Sequence, residues 1–267
     1  MQAANNRGTA LITGASSGIG AVYADRLAAR GHDLILVARD RARLEALAGR
    51  LEGAHEVHVE VLVADLTDPQ ALDALAERLR GDAIIDLLVN NAGMAMQGRL
   101  AEADPAALLR MLALNVTATT RLAQAAAANF SAAGRGAIVN LGSVVALAPG
   151  LFNVAYTATK GYVLSLSEAL QAELAPAGVR VQAVLPGVTR TQIWERSSGS
   201  LEHLPAQMVM EAEKMVDAAL RGFDLGETVT LPSLPDAADW ERLLTARAAL
   251  GPNLSRNQPA PRYRAGA

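Results

Sequence analysis

Thr9-Ala-Leu-Ile-Thr13-Gly14-Ala-Ser16-Ser17-Gly18-Ile19-Gly20 decides how the rest of this chain is read. The first five residues predict a buried strand, and the stretch that follows Gly20, Ala21 to Arg30, carries a helical pattern. A glycine-rich turn thus joins strand to helix. Glycine lets the backbone bend sharply and approach a ligand, and the helix amino terminus offers unpaired N–H groups and the positive end of its dipole. Such a turn suits a pyrophosphate. Its spacing is G-x-x-x-G-x-G and not the commoner G-x-G-x-x-G.

Downstream the same alternation recurs. Asp33–Ala38, Val57–Ala64 and Ile85–Val89 read as further strands, each followed by a helix-like stretch, and Thr67-Asp68-Pro69 looks like a helix start with its cap and first-turn proline. Strand then helix, repeated, predicts an α/β fold: a doubly wound parallel sheet with helices on both faces. The second strand runs into Ala38-Arg39-Asp40-Arg41. At this strand end an acidic residue would hold ribose hydroxyls, whereas an arginine pairs with a 2′-phosphate through its fork of donors. The third strand stops at Asp65-Leu66, and the fourth at Asn90-Asn91-Ala92-Gly93.

Asp104-Pro105 opens a helical stretch expected to run to about Phe130, with Asn115 in its apolar middle, where a buried amide must find partners. Ala137–Leu141 is another buried strand, and Ser143 stands just past it. Tyr156 and Lys160 are four apart, so on a helix they lie on one face, one turn apart. A lysine cation beside a phenol favours the phenolate and is expected to lower a pKa that is ordinarily ~10. Val179–Leu185 is a further strand, closed by Pro186-Gly187, and Glu227–Leu231 a last one. Residues 189–222, with Met208, Met210 and Met215, suggest a lid. A single domain is expected over 1–250, with 251–267, rich in proline and arginine, as an arm or tail.

The 267 residues are 51% hydrophobic, enough for a substantial core. A net charge of -3 without a long basic run argues against nucleic acid or an anionic membrane as partner. The absence of cysteine excludes disulfides and thiolate chemistry. His55 and His58 are three apart, but strand alternation makes His58 solvent-facing, so no metal site is expected. No apolar run reaches the ~18 residues of a membrane span, and a cytoplasmic protein is expected.

In order and spacing, Thr13 to Gly20, Asn90 to Gly93, Asn115, Ser143, Tyr156-x-x-x-Lys160 and Pro186-Gly187 resemble the short-chain dehydrogenase/reductase family, over about Thr9 to Thr191. The resemblance implies a Rossmann-like sheet of about seven strands, a nicotinamide dinucleotide cofactor and a homodimer or homotetramer. It implies Tyr156 as the acid/base, Ser143 as a hydrogen-bond partner of the substrate oxygen, Lys160 as tuner of the phenol and ribose ligand, and Asn115 as holder of a relay water. Cofactor contacts carry over to Gly14, Ser16, Ser17, Gly18, Ile19 and Gly20, to Asp65, Leu66, Asn91, Ala92 and Gly93, and to Pro186, Gly187, Val188, Thr189 and Thr191. Arg39 falls where NADP-using members bind the 2′-phosphate, possible helpers being Arg41 and Ser17, so NADP(H) is expected over NAD(H). The expected reaction interconverts a carbonyl and a secondary alcohol. An NAD-dependent alcohol dehydrogenase and a non-catalytic NADPH-binding regulator are the alternatives. Met94, Met96, Val144, Val145, Leu147, Leu151, Phe152, Val154, Ile193, Trp194 and Met208 suggest an apolar substrate pocket, with Ser143, Tyr156, Val145 and Trp194 as its nearest contacts.

Overall fold

The computed structural model describes residues 8–192 and 204–263. Strands β1 (Thr9–Thr13), β2 (Asp33–Ala38), β3 (Val59–Val63), β4 (Ile85–Asn90), β5 (Gly136–Leu141), β6 (Val179–Val184) and β9 (Val229–Thr230) form one parallel sheet in the order β3-β2-β1-β4-β5-β6-β9. Successive side chains of these strands enter opposite faces. Ala10, Ile12, Leu34, Leu36 and Val89 join one core cluster with α1 (Gly18–Ala29) and α2 (Arg41–Ala54). Leu11, Ile35, Val37, Leu88 and Ile138 join the other, with α3 (Pro69–Gly81) and α5 (Thr119–Ala133). Burial on both faces is why the strands are mostly apolar on successive residues. Strand order reverses between β1 and β4, and ligands of such sheets bind at that crevice, beyond the carboxyl ends of the strands.

Side-chain caps start the helices where their sequences suggest. Asp40 accepts from the Arg43 N–H, Asp68 from Gln70, and Asp104 from Ala106 and Ala107, with Pro69 and Pro105 in the first turns of their helices. The stretch expected to be one helix from Asp104 to Phe130 is interrupted. α4 (Pro105–Leu112) passes into a π-helical turn, Ala113–Ala118, before α5 begins. Asn115 lies in that turn.

Beyond β6, a short parallel pair, β7 (Thr189–Arg190) with β8 (Met210–Glu211), leads to the helix Ala212–Leu225. The lid expectation does not hold for this helix. Met215, Val216 and Ala219 are fully buried in the cluster that includes Tyr23, Ala24 and Leu27, because the helix packs against α1. Contacts divide the chain into two units, Met1–Pro232 and Ser233–Ala267. Composition put this boundary at 250. The helix Ala237–Leu250 instead groups with the arm, and none of its residues is buried: Leu243, Leu244 and Leu250 are exposed. No described helix is long and apolar enough to cross a membrane.

Candidate active site

The ends of β1, β2, β4, β5 and β6 open into one cleft of about 1250 Å³. At its base Thr13 acts as a hub. Its hydroxyl accepts the N–H groups of Asn91 and Ala92, both at 3.0 Å, and lies 3.3 Å from the Val89 carbonyl, while the Asn91 side chain donates to Thr13 O and Gly14 O. The first and fourth strand ends are thereby stitched together. Gly14 (φ 66°) and Gly18 (φ 56°) take left-handed conformations that favour glycine. A Cβ on Gly14 would stand 2.8 Å from Asn91 Nδ2, and one on Gly18 3.1 Å from Thr191 Cγ2. Ser17 occupies the N-cap position of α1 without capping it through its side chain.

All the expected cofactor contacts except Gly20 line this cleft: Gly14, Ser16, Ser17, Gly18, Ile19, Arg39, Asp65, Leu66, Asn91, Ala92, Gly93, Pro186, Gly187, Val188, Thr189 and Thr191, together with Tyr156 and Lys160. Gly20 works from behind. A Cβ there would meet Gly14 O at 2.4 Å and Asn91 Nδ2 at 2.5 Å, so glycine is required for the turn to fold onto the helix. Arg39 is largely exposed, with its guanidinium 3.8 Å from the Asp65 carboxylate. Partial burial of Asp65 opposes its ionisation, but hydrogen bonds from the Thr67 N–H and hydroxyl and the charge of Arg39 hold its carboxyl below the ordinary range. Arg41 does not line the cleft and pairs with Glu45 one turn along α2. Arg43, which the sequence reading passed over, donates instead to Gln192 Oε1 at 2.6 Å, and Gln192 lines the cleft.

At the other end of the cleft stand Ser143, Tyr156 and Lys160. Ser143 N-caps the short turn Val144–Leu147, its hydroxyl accepting the Val145 N–H at 3.3 Å and donating to Pro186 O at 3.4 Å. The Asn153 side chain caps the helix α6 (Val154–Leu174) by accepting the Tyr156 N–H at 2.9 Å, so the phenol is carried on the first turn. Lys160 is buried, with Nζ 2.7 Å from Leu141 O and 5.7 Å from the centre of the Tyr156 ring. The expected tuning of the phenol is reversed. Burial pushes Tyr156 up to about 12, against which hydrogen bonding to Ser143 works, and burial pushes Lys160 down to about 8, because both charged forms lose water.

This has a measurable consequence for stability. Native Lys160 gives up its proton near pH 8 and an unfolded lysine near 10.5, so between those values the unfolded chain binds more protons and stability rises with pH. Below that window the cost of burying the charge is carried in full. The melting temperature of Lys160→Met, minus that of the wild type, is therefore expected to fall steadily from pH 8 to 10.5. A difference independent of pH would contradict the assignment.

Asn115 is buried behind Gly93, its amide spanning Met94 and Thr159. Further back, Asn90 donates to Asn140 at 3.0 Å and Asn140 to Ser167 at 3.0 Å, a buried polar chain that joins β4, β5 and α6. Neither this chain nor the Thr13 hub was read from sequence, because single polar residues inside strands carry no periodicity. The apolar wall is only partly as expected. Met94, Met96, Val144, Val145 and Phe152 line the cleft, whereas Leu147, Val154 and Met208 do not and are exposed. Ile193 and Trp194, and the side chain of Leu151, lie outside the described residues.

The family model of the short chain dehydrogenases matches residues 8–201. The chain belongs to the short-chain dehydrogenase family. Among relatives of this family, the chain is 39% identical over 186 residues to galactitol 2-dehydrogenase (L-tagatose-forming) of Cereibacter sphaeroides, spanning 69% of this chain and 72% of that one. Among solved structures it resembles a short-chain dehydrogenase from Sphingobium yanoikuyae in complex with NADPH, with a TM-score of 0.93 at 53% identity over 96% of this chain and 100% of the other. It also resembles the bulky-bulky ketone specific alcohol dehydrogenase of Comamonas testosteroni, with a TM-score of 0.89 at 47% identity over 97% and 99%. For a short-chain dehydrogenase the sheet is the expected one. Among the described residues no group of three or more metal-ligating side chains occurs, and His58 stands beside Glu52 at the surface.

Proposed function

We propose that this protein is an NADP(H)-dependent carbonyl reductase acting on bulky, largely apolar ketones. The observation that carries the proposal is the continuity of one cleft from the Gly14–Gly20 turn and Arg39 to Ser143, Tyr156 and Lys160. The glycine turn and the start of α1 suit a pyrophosphate, and Arg39 offers a cation for a 2′-phosphate. The similar Sphingobium structure, in complex with NADPH, supports the same choice.

NADPH, when bound, supplies the hydride. Tyr156 Oη gives its proton to the substrate oxygen, and the Ser143 hydroxyl donates a hydrogen bond to that oxygen as negative charge develops. A phenol pushed up to about 12 remains a stronger acid than the aliphatic alcohol it forms, so its proton runs downhill in reduction. Burial keeps Tyr156 protonated, the form that donates in reduction, and alcohol oxidation draws on the phenolate. Lys160 holds its place through Leu141 O and faces Gly93, where a Cβ would lie 3.7 Å from Nζ. We assign Lys160 to the ribose and Asn115 to the proton relay.

The substrate half of the cleft is walled by Met94, Met96, Val145 and Phe152, and among the described residues that line this end the one cation is Lys160, which is turned to Leu141 O. The Comamonas relative, named for bulky-bulky ketones, supports this reading. kcat/KM for an aryl or long-chain ketone is expected to exceed that for a carboxylated ketone of similar size. A tenfold preference for the acid, roughly 1.4 kcal/mol of transition-state binding, would remove the apolar-pocket assignment.

We also infer a homo-oligomer, in the cytoplasm. Leu122, Ala123, Ala125, Ala126, Leu164 and Leu174 are core residues and offer nothing to a partner. Support comes from Leu109 and Leu112 of α4 and Val154 and Tyr162 of α6, exposed on two helices that touch. Light scattering is expected to give a multiple of 27.8 kDa; a mass of one chain at micromolar concentration would contradict it.

A further inference from the structure

We propose that Thr159 is a positioning residue for the reacting centre, its hydroxyl tying the Asn115 amide to the helix that carries Tyr156 and Lys160. Thr159 is 1% exposed and directly precedes Lys160. Its Oγ1 lies 2.7 Å from the Tyr156 carbonyl oxygen and 3.1 Å from Asn115 Nδ2. A carbonyl only accepts, so the single hydroxyl proton is committed to Tyr156 and the threonine oxygen must accept from the amide. The other amide proton goes to Met94 O at 2.8 Å, and Asn115 Oδ1 accepts the Met94 N–H at 2.8 Å. Both donors and the acceptor of Asn115 are thus engaged, and the amide has one orientation.

Three separate pieces of chain meet at this side chain: the segment after β4 at Met94, the π turn at Asn115, and α6 at Thr159. A π turn inside a helix persists when its surroundings hold it, and such turns are frequent at functional sites. Here Thr159 supplies the hold from the catalytic helix. Asn115 Oδ1 and Lys160 Nζ both approach the α-carbon of Gly93, where a Cβ would stand 3.4 and 3.7 Å from them. The threonine therefore sets where Asn115 lies relative to Lys160. A hydroxyl replaced by a methyl group of the same shape leaves one buried N–H of Asn115 without a partner, and the amide is released from its orientation.

The inference rests on the assignment of Asn115 to proton delivery, and the test separates the two. Thr159→Val is expected to lower kcat about tenfold, or ~1.4 kcal/mol of transition-state stabilisation, with KM for NADPH held within about twofold. Thr159→Ser, which keeps the hydroxyl, should restore kcat. Combined with Asn115→Ala, the valine should add nothing to the loss that Asn115→Ala causes alone, and the two single variants should displace the pH profile of kcat in the same sense. If valine is not accommodated, as a thermal melt reveals, Thr159→Ala is read against Thr159→Ser in its place. Wild-type kcat in the hydroxyl-free variant beside an impaired Asn115→Ala would overturn the role of Thr159 alone. So would a failure of serine to restore activity, or additivity with Asn115→Ala. Wild-type turnover by Asn115→Ala would overturn the assignment of Asn115 and this inference with it.

Discussion

Tyr156→Phe is expected to lower the rate of ketone reduction by about a thousandfold, within the ~10²–10⁴ that a positioned acid contributes, while NADPH still binds within about threefold of the wild type. The variant deletes one oxygen and its proton. Everything that places the ring stays: the Asn153 cap on the first turn of α6, the Lys160 hydrogen bond to Leu141 and the walls of the cleft. The loss should therefore fall on kcat and leave the cofactor affinity, read by fluorescence titration, nearly intact. A retained kcat beside a weakened affinity for NADPH would show that Tyr156 is a cofactor contact and not the acid. The raised phenol pKa sharpens this expectation, because few other groups at the site can donate a proton: Ser143 is a weaker acid, and the Lys160 proton points to Leu141 O.

Arg39→Ala is expected to raise the dissociation constant for NADPH about ten- to a hundredfold and to leave that for NADH within about twofold, since a hydrogen bond to a charged group is worth ~1.5–3 kcal/mol. Exposure of Arg39 to solvent argues for the lower end. Asp65 argues for the upper: its carboxylate, held ionised by Thr67, lies 3.8 Å from the guanidinium, and without Arg39 it would face the 2′-phosphate unopposed. Arg41→Ala is the control, because Arg41 pairs with Glu45. Equal losses for both cofactors would mean that Arg39 does not read the phosphate.

What could be read from the chain was what leaves a local signature. The Gly14–Gly20 turn announced itself because a sharp bend against Asn91 tolerates little else, and Tyr156 and Lys160 because four residues make one helical turn. The doubly wound sheet followed from apolar strands alternating with capped helices. The π turn at Asn115 was invisible, since Leu114 and Val116 continue an apolar pattern on either side and an extra residue in one turn leaves no mark in it. Thr13 was read as part of a motif and not as a hub, and Thr159 passed as an unspecified position between Tyr156 and Lys160, because the Thr13 partners lie 76 to 79 residues away and Asn115 lies 44 from Thr159. The phenol's pKa went the wrong way for a related reason. A lysine four residues on promises a nearby charge, but only the fold shows that the amine is itself buried and turned to Leu141. Met215 looked like part of a lid until its helix was seen to pack on α1.

The most direct test of the account is NADPH consumption by the purified protein with a bulky apolar ketone, run beside the same assay with NADH. The account predicts oxidation of NADPH in proportion to protein, matched by formation of the secondary alcohol, and much slower consumption of NADH. Tight NADPH binding without consumption across a panel of ketones and aldehydes would contradict it and leave a cofactor-binding regulator in place of an enzyme.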